Sequence, residues 1–158
     1  GGVAVQPCRI KQLRPTFPPL PWQWVLRVVV ELGRPAPKQR TLMLVDDEPD
    51  FRDSMVEYLA ATMPHLQVYT AASGEQALVQ AKKIDVDVVV SDLRMPGMNG
   101  LALLEAVQRT WPKTHCILMT AFNEADLDRR AKEIGVEKVL RKPFEMAGFE
   151  AIIAAALT

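Results

Sequence analysis

The sequence predicts an α/β domain built on a doubly wound, five-stranded parallel sheet, preceded by a separate N-terminal extension. Three observations carry that expectation. From residue 41 onward, short β-branched apolar runs alternate with segments of helical spacing. The runs are nearly continuous in apolar character, as strands are when helices cover both faces of a sheet. Four of them also end in a reactive polar group: Thr41–Val45 in Asp46-Asp47-Glu48, residues 86–91 in Asp92, residues 115–119 in Thr120, and residues 139–141 in Lys142-Pro143.

Each element has a local cause. After the first strand, Pro49 suits a first helical position, where its missing N–H has no partner to lose. Phe51, Met55, Tyr58 and Leu59 follow at helical spacing, and residues 65–70 read as a short strand. Ser73-Gly74-Glu75-Gln76 resembles a capping box opening a helix through Lys82. The third strand leads into Asp92, and Pro96-Gly97-Met98-Asn99-Gly100 is a loop. Leu101, Leu104, Val107 and Gln108 mark a helix stopped before Pro112. After Thr120, Asn123 is expected to cap a helix running to Ile134, with Gly135 at its end. A last helix over residues 146–157 is small and apolar on one face. Five βα units with right-handed crossovers give a flavodoxin-like sandwich with strand order 2-1-3-4-5.

Residues 1–40 differ in kind. Seven of the 12 prolines lie at or before Pro37, so neither a continuous helix nor a central strand is expected there. Between them, Trp22, Trp24, Leu26, Val28, Val30 and Leu32 keep a strand-like period of two. The segment reads as a tail or linker, with an extra strand or short helix docking on the core or on a second copy as the sharper reading. It carries seven Arg/Lys and one Glu, hence +6, against −6 for residues 41–158. These charges are scattered, which favours solubility or contact with the acidic domain over binding to nucleic acid or a membrane surface. Cys8 and Cys116 form no disulfide framework or metal spacing, consistent with a reducing cytoplasm. No run of about 18 apolar residues suggests a membrane span.

The carboxyl ends of parallel strands share one edge, and ligands bind in the crevice there. Asp46, Asp47 and Asp92 delivered to that edge would repel one another, and a hard divalent cation relieves the repulsion. Glu48, just before Pro49, reads better as a helix cap. A carboxylate beside a metal can attack a phosphoryl group and form an aspartyl phosphate. Thr120 and Lys142, at neighbouring strand ends, could contact the phosphoryl oxygens.

The set Asp46-Asp47, Asp92-Leu93-Arg94-Met95-Pro96 with Gly100, Thr120-Ala121 and Lys142-Pro143-Phe144 resembles the receiver domain of two-component response regulators, including the chemotaxis-regulator-like receivers. The likeness covers residues 41 to about 157, in order and at typical spacing. It implies Asp92 as phosphoacceptor, Asp47 as main Mg²⁺ ligand, Asp46 supporting the metal through water, and the Arg94 carbonyl completing the protein ligands. It implies Lys142 as the phosphoryl-binding ammonium, Thr120 as the switch hydroxyl, and a cis bond before Pro143. The donor would be a phosphohistidine on a sensor histidine kinase or histidine phosphotransfer protein, and phosphorylation could drive homodimerisation. Such a domain is no enzyme in the ordinary sense; it assists its own phosphotransfer and dephosphorylation.

One position departs from the family. Three residues before the lysine, many receivers place an aromatic ring that turns inward; here it is Val139, small and stiff at χ1. Arg94 and Phe122 occupy flanking positions that tune phosphoryl lifetime in the family. Two alternatives remain at this level. An aspartate-nucleophile phosphatase needs Asp-x-Asp after a strand, but Asp85-Val86-Asp87 precedes its run. A receiver-like interaction module that is never phosphorylated would be free to lose Lys142 or an acid. With Thr158 closely following the last helix, no DNA-binding or catalytic effector is expected on this chain, whether it is a stand-alone receiver, part of a hybrid kinase, or a piece of a longer regulator.

Overall fold

In the computed structural model, residues 21–33 and 38–158 are described. They fall in two compact units that divide between Lys38 and Gln39. The first contributes helix α1, Pro21–Gly33. The second runs β1 Thr41–Val45, α2 Pro49–Thr62, β2 Gln67–Ala71, α3 Gly74–Ala81, β3 Val88–Asp92, α4 Gly100–Thr110, β4 His115–Thr120, α5 Leu127–Glu133, β5 Lys138–Arg141 and α6 Met146–Ala156. All strand pairs are parallel, in the order β2-β1-β3-β4-β5. The expected sandwich is therefore the observed one.

The strand residues sort by parity into two cores. Met43, Val45, Val89, Cys116 and Leu118 pack with Ala77, Leu103, Leu104 and Leu127 of α3, α4 and α5. Leu42, Leu44, Val88, Val90, Ile117 and Met119 pack with Met55 and Leu59 of α2 and Phe149 and Ile153 of α6. Because both faces are covered, β1 is buried along its whole length, which is why it reads as an unbroken apolar run. Within this unit α2 and α6 lie on one face and α3, α4 and α5 on the other. Every strand therefore ends at the same edge, beside the start of the helix that follows it.

The expected cap at Ser73 is present, its hydroxyl accepting from the Gln76 N–H at 3.2 Å; Asn99, read only as a loop residue, also caps its helix by accepting from the Ala102 N–H at 2.9 Å. Three expectations need correction. Residues 21–33 do form a continuous helix. Pro21 takes its first position and the next proline lies beyond its end, so no breaker falls inside it. The even-numbered apolar residues that suggested a strand also fall four apart, as Trp22–Leu26–Val30 and Trp24–Val28–Leu32, which a helix satisfies equally. No residue of α1 is buried. Asn123 does not cap α5; that helix starts at Leu127, after Asp126 at φ 60°. Glu48 holds the N-cap position of α2 but makes no side-chain cap hydrogen bond. Cys8 and the N-terminal prolines other than Pro21 lie outside the described residues. No described helix is long and apolar enough to cross a membrane.

Candidate functional site

β1 is prolonged by one backbone bond, from the Asp46 N–H to the Ala71 carbonyl of β2 at 3.2 Å, and this carries Asp46 inside while Asp47 turns outward. The fully buried Asp46 carboxylate accepts from the Glu48 N–H at 2.9 Å, an Asx-type turn that ends the strand. Arg52, one turn into α2, donates to the Asp46 carbonyl. Asp92 is the last residue of β3 and is paired in register with Met119, so Thr120 stands one step further on the adjacent strand. Arg141 pairs with Thr120, and the Lys142 N–H donates to the Thr120 carbonyl at 2.7 Å, which swings the lysine toward β3. The Lys142–Pro143 peptide is cis.

These backbone positions bring four charged groups together. Carboxylate oxygens of Asp46, Asp47 and Asp92 lie within 4.8 Å of one another. The Lys142 Nζ donates to Asp46 Oδ2 at 2.8 Å and stands 3.2 Å from Asp92 Oδ1. Its side chain is 17% exposed, those of Asp46 and Asp92 0% and 13%. Three carboxylates against one ammonium leave a surplus of two negative charges in a half-buried crevice.

Burial and the neighbouring charges both act on the acid–base balance. Burial pushes the Asp92 carboxyl above the usual range; Lys142 opposes that, while Asp46 and Asp47 reinforce it. Burial alone would lower the Lys142 ammonium, but hydrogen bonding to Asp46 and the charges of Asp46 and Asp92 outweigh it and raise it. An all-oxygen, net-negative donor set held by rigid strand ends fits a hard divalent cation such as Mg²⁺.

Around this centre lie the flanking residues. Thr120 is buried, and its hydroxyl accepts from the Phe122 N–H at 3.0 Å and contacts the Phe122 carbonyl at 3.2 Å. Arg94, two residues past Asp92, donates to Glu124 at 2.6 Å, with its guanidinium 4.2 Å from the centre of the Phe122 ring. Gly100 is required by close approach: a Cβ there would fall 2.2 Å from the Asp92 carbonyl oxygen. Val139 sits half-buried on β5 against the core of α3, α4 and α5. Sequence reading missed two participants. Glu124, the partner of Arg94 and of Arg130 at 3.7 Å, had no signal beyond its charge. Phe51 was legible only as an apolar helix position, yet its ring centre lies 4.0 Å from the Lys142 ammonium. Asp87, from the phosphatase spelling, precedes β3 at the opposite edge and accepts from the Thr41 N–H at 2.8 Å.

A flavodoxin-like sheet with acids and an ammonium converging at its carboxyl edge defines a class of α/β domain with a ligand-binding crevice at that edge. The chain belongs to the response regulator receiver domain family, whose model matches residues 42–154. It is thus a receiver domain of two-component systems. It is 35% identical over 115 residues to the DNA-binding transcriptional regulator NtrC of Klebsiella pneumoniae, covering 73% of this chain but only 24% of that protein. It is 31% identical to sporulation initiation phosphotransferase F of Bacillus subtilis, over 66% of this chain and 83% of that one. Among solved structures it resembles chemotaxis protein CheY4 of Vibrio cholerae, at TM-score 0.69 and 26% identity over 75% of this chain and 99% of that one.

Proposed function

We propose that the domain is a phosphoacceptor whose Asp92 takes a phosphoryl group from a phosphohistidine on a sensor histidine kinase or histidine phosphotransfer protein. The observation that carries this reading is the Lys142 ammonium, 3.2 Å from Asp92 Oδ1 inside a cluster with two surplus negative charges. Asp46, Asp47, Asp92 and the backbone carbonyl of Arg94 would hold Mg²⁺, with Asp46 acting through water. Bound there, the cation supplies positive charge against the phosphoryl oxygens.

An Asp92 carboxylate oxygen forms the new P–O bond as the P–N bond to the donor imidazole breaks. The bonding pair returns to the imidazole nitrogen. Lys142 stays between Asp46 and the incoming group and pairs with one of its oxygens. The acyl phosphate brings nearly two negative charges to the edge, and the Thr120 hydroxyl gives up the Phe122 carbonyl to donate to a phosphoryl oxygen.

Mg²⁺-dependent labelling by a small acyl or amido phosphate tests this reading. Asp92→Asn is expected to abolish the label; labelling equal to the parent sinks the assignment. Size measurement with and without beryllofluoride then reports whether activation drives homodimerisation.

A further inference from the structure

We infer that Phe51 is a positioning residue for the phosphoryl-binding ammonium, holding Lys142 on the face of its ring. The inference rests on the phosphoacceptor reading and extends it to a residue on α2. Lys142 Nζ lies against Asp46 Oδ2 at 2.8 Å, Asp92 Oδ1 at 3.2 Å and the Phe51 ring centre at 4.0 Å. That is well inside the range at which a cation is drawn to the negative face of a ring, and the partial burial of both groups strengthens the attraction.

The three partners differ in what happens to them during transfer. The Asp46 and Asp92 oxygens are also the candidate cation ligands, and Asp92 Oδ1 or its twin becomes part of the acyl phosphate. The ring competes for neither cation nor phosphoryl group. When the carboxylates are drawn to the metal, Phe51 is the contact that keeps the ammonium facing Asp92.

The ring is itself fixed. It meets Phe144 edge-on, centroids 6.5 Å apart at 88°, and Phe144 stacks on the fully buried Phe149 at 5.7 Å. Phe144 lies two residues after Lys142, so the aromatic row and the lysine loop set each other's position. Leucine in place of Phe51 would keep apolar volume but lose the ring face.

The test uses the full chain with Phe51→Leu, Phe51→Tyr, and phenylalanines of increasing ring fluorination at residue 51, which weaken the ring's negative face at nearly constant shape. In the parent, the Lys142 Hε resonances should be shifted upfield by the ring, and in Phe51→Leu they should return to ordinary values. Phe51→Leu should slow Mg²⁺-dependent labelling about tenfold, while Phe51→Tyr stays near the parent. The logarithm of the rate should fall stepwise with fluorination, at unchanged Mg²⁺ affinity. A rate indifferent to fluorination, or Phe51→Leu matching the parent, overturns the inference. A parent chain that takes no label on Asp92 instead sinks the phosphoacceptor reading, while the Hε shifts still decide whether the ring holds the ammonium.

Discussion

The two edges of the sheet carry the same kinds of residue and do different things with them. At the amino edge, Asp87 accepts from the Thr41 N–H at 2.8 Å and lies 3.9 Å from the Arg40 guanidinium, so one carboxylate meets a backbone donor and a cation. At the carboxyl edge, three carboxylates share one ammonium. Balanced charge at the first edge closes β1 onto β3. Surplus charge at the second leaves the group needing a further cation, and that surplus separates a binding site from a structural contact.

The largest effect should come from the backbone of the carboxyl edge. The start of α4 lies against β3, with the Gly100 N–H bonded to the Leu93 carbonyl at 2.8 Å. A Cβ on Gly100 would sit 2.2 Å from the Asp92 carbonyl oxygen, so Gly100→Ala must push α4 off the strand end. Denaturant unfolding should show a loss of about 3 kcal/mol. Labelling of the folded fraction should drop as well, because the displaced backbone is that of Asp92. A variant as stable as the parent would mean that the edge is looser than its contacts imply.

Next in size is the charge contrast itself. Lys142→Met removes the shared ammonium and leaves buried Asp46 facing Asp92 uncompensated. The expected cost is about 2 kcal/mol in chelator, below the roughly 3–5 of a fully buried pair because 17% of the lysine side chain meets solvent. Millimolar Mg²⁺ should recover part of it, since a cation supplies the missing charge. Asp87→Ala, at the other edge, should cost about 1 kcal/mol through the unpaired Thr41 N–H, with no dependence on Mg²⁺. Equal Mg²⁺ responses in the two variants would erase the distinction between the edges.

What could be read from the sequence follows the range of the interaction responsible. Strand ends were legible because the change from apolar run to Asp92, Thr120 or Lys142 is local, and right-handed crossovers then carry those ends to one edge. The cap at Ser73 was legible for the same reason, whereas Asn99 was read only as a loop residue. The start of α5 was not legible: Asn123 has cap chemistry, but the neighbouring Glu124 is tied to Arg94, 30 residues earlier, and the helix begins only after Asp126. Phe51 and Lys142 are 91 positions apart, so no periodicity could have paired them. The helix at residues 21–33 was misread because a spacing of two on apolar residues contains a spacing of four.

The smallest expected effect concerns a second helix that begins at the same edge. α6 follows β5 as α4 follows β3, and each has a glycine in its first turn, Gly148 and Gly100. Among the described residues beyond its own helix turn, nothing lies within 4 Å of a Cβ built on Gly148, and no positive φ constrains it. Gly148→Ala should therefore stabilise the domain by about 0.5–1 kcal/mol, the ordinary helix-interior difference, and leave the labelling rate unchanged. The opposite signs at the two glycines would show that the edge is tightly built only where α4 meets the carbonyl of Asp92. If Gly148→Ala were destabilising, the start of α6 would have to be packed against a surface as closely as α4 is. The lysine loop leading into it would then share the constraint placed on Asp92.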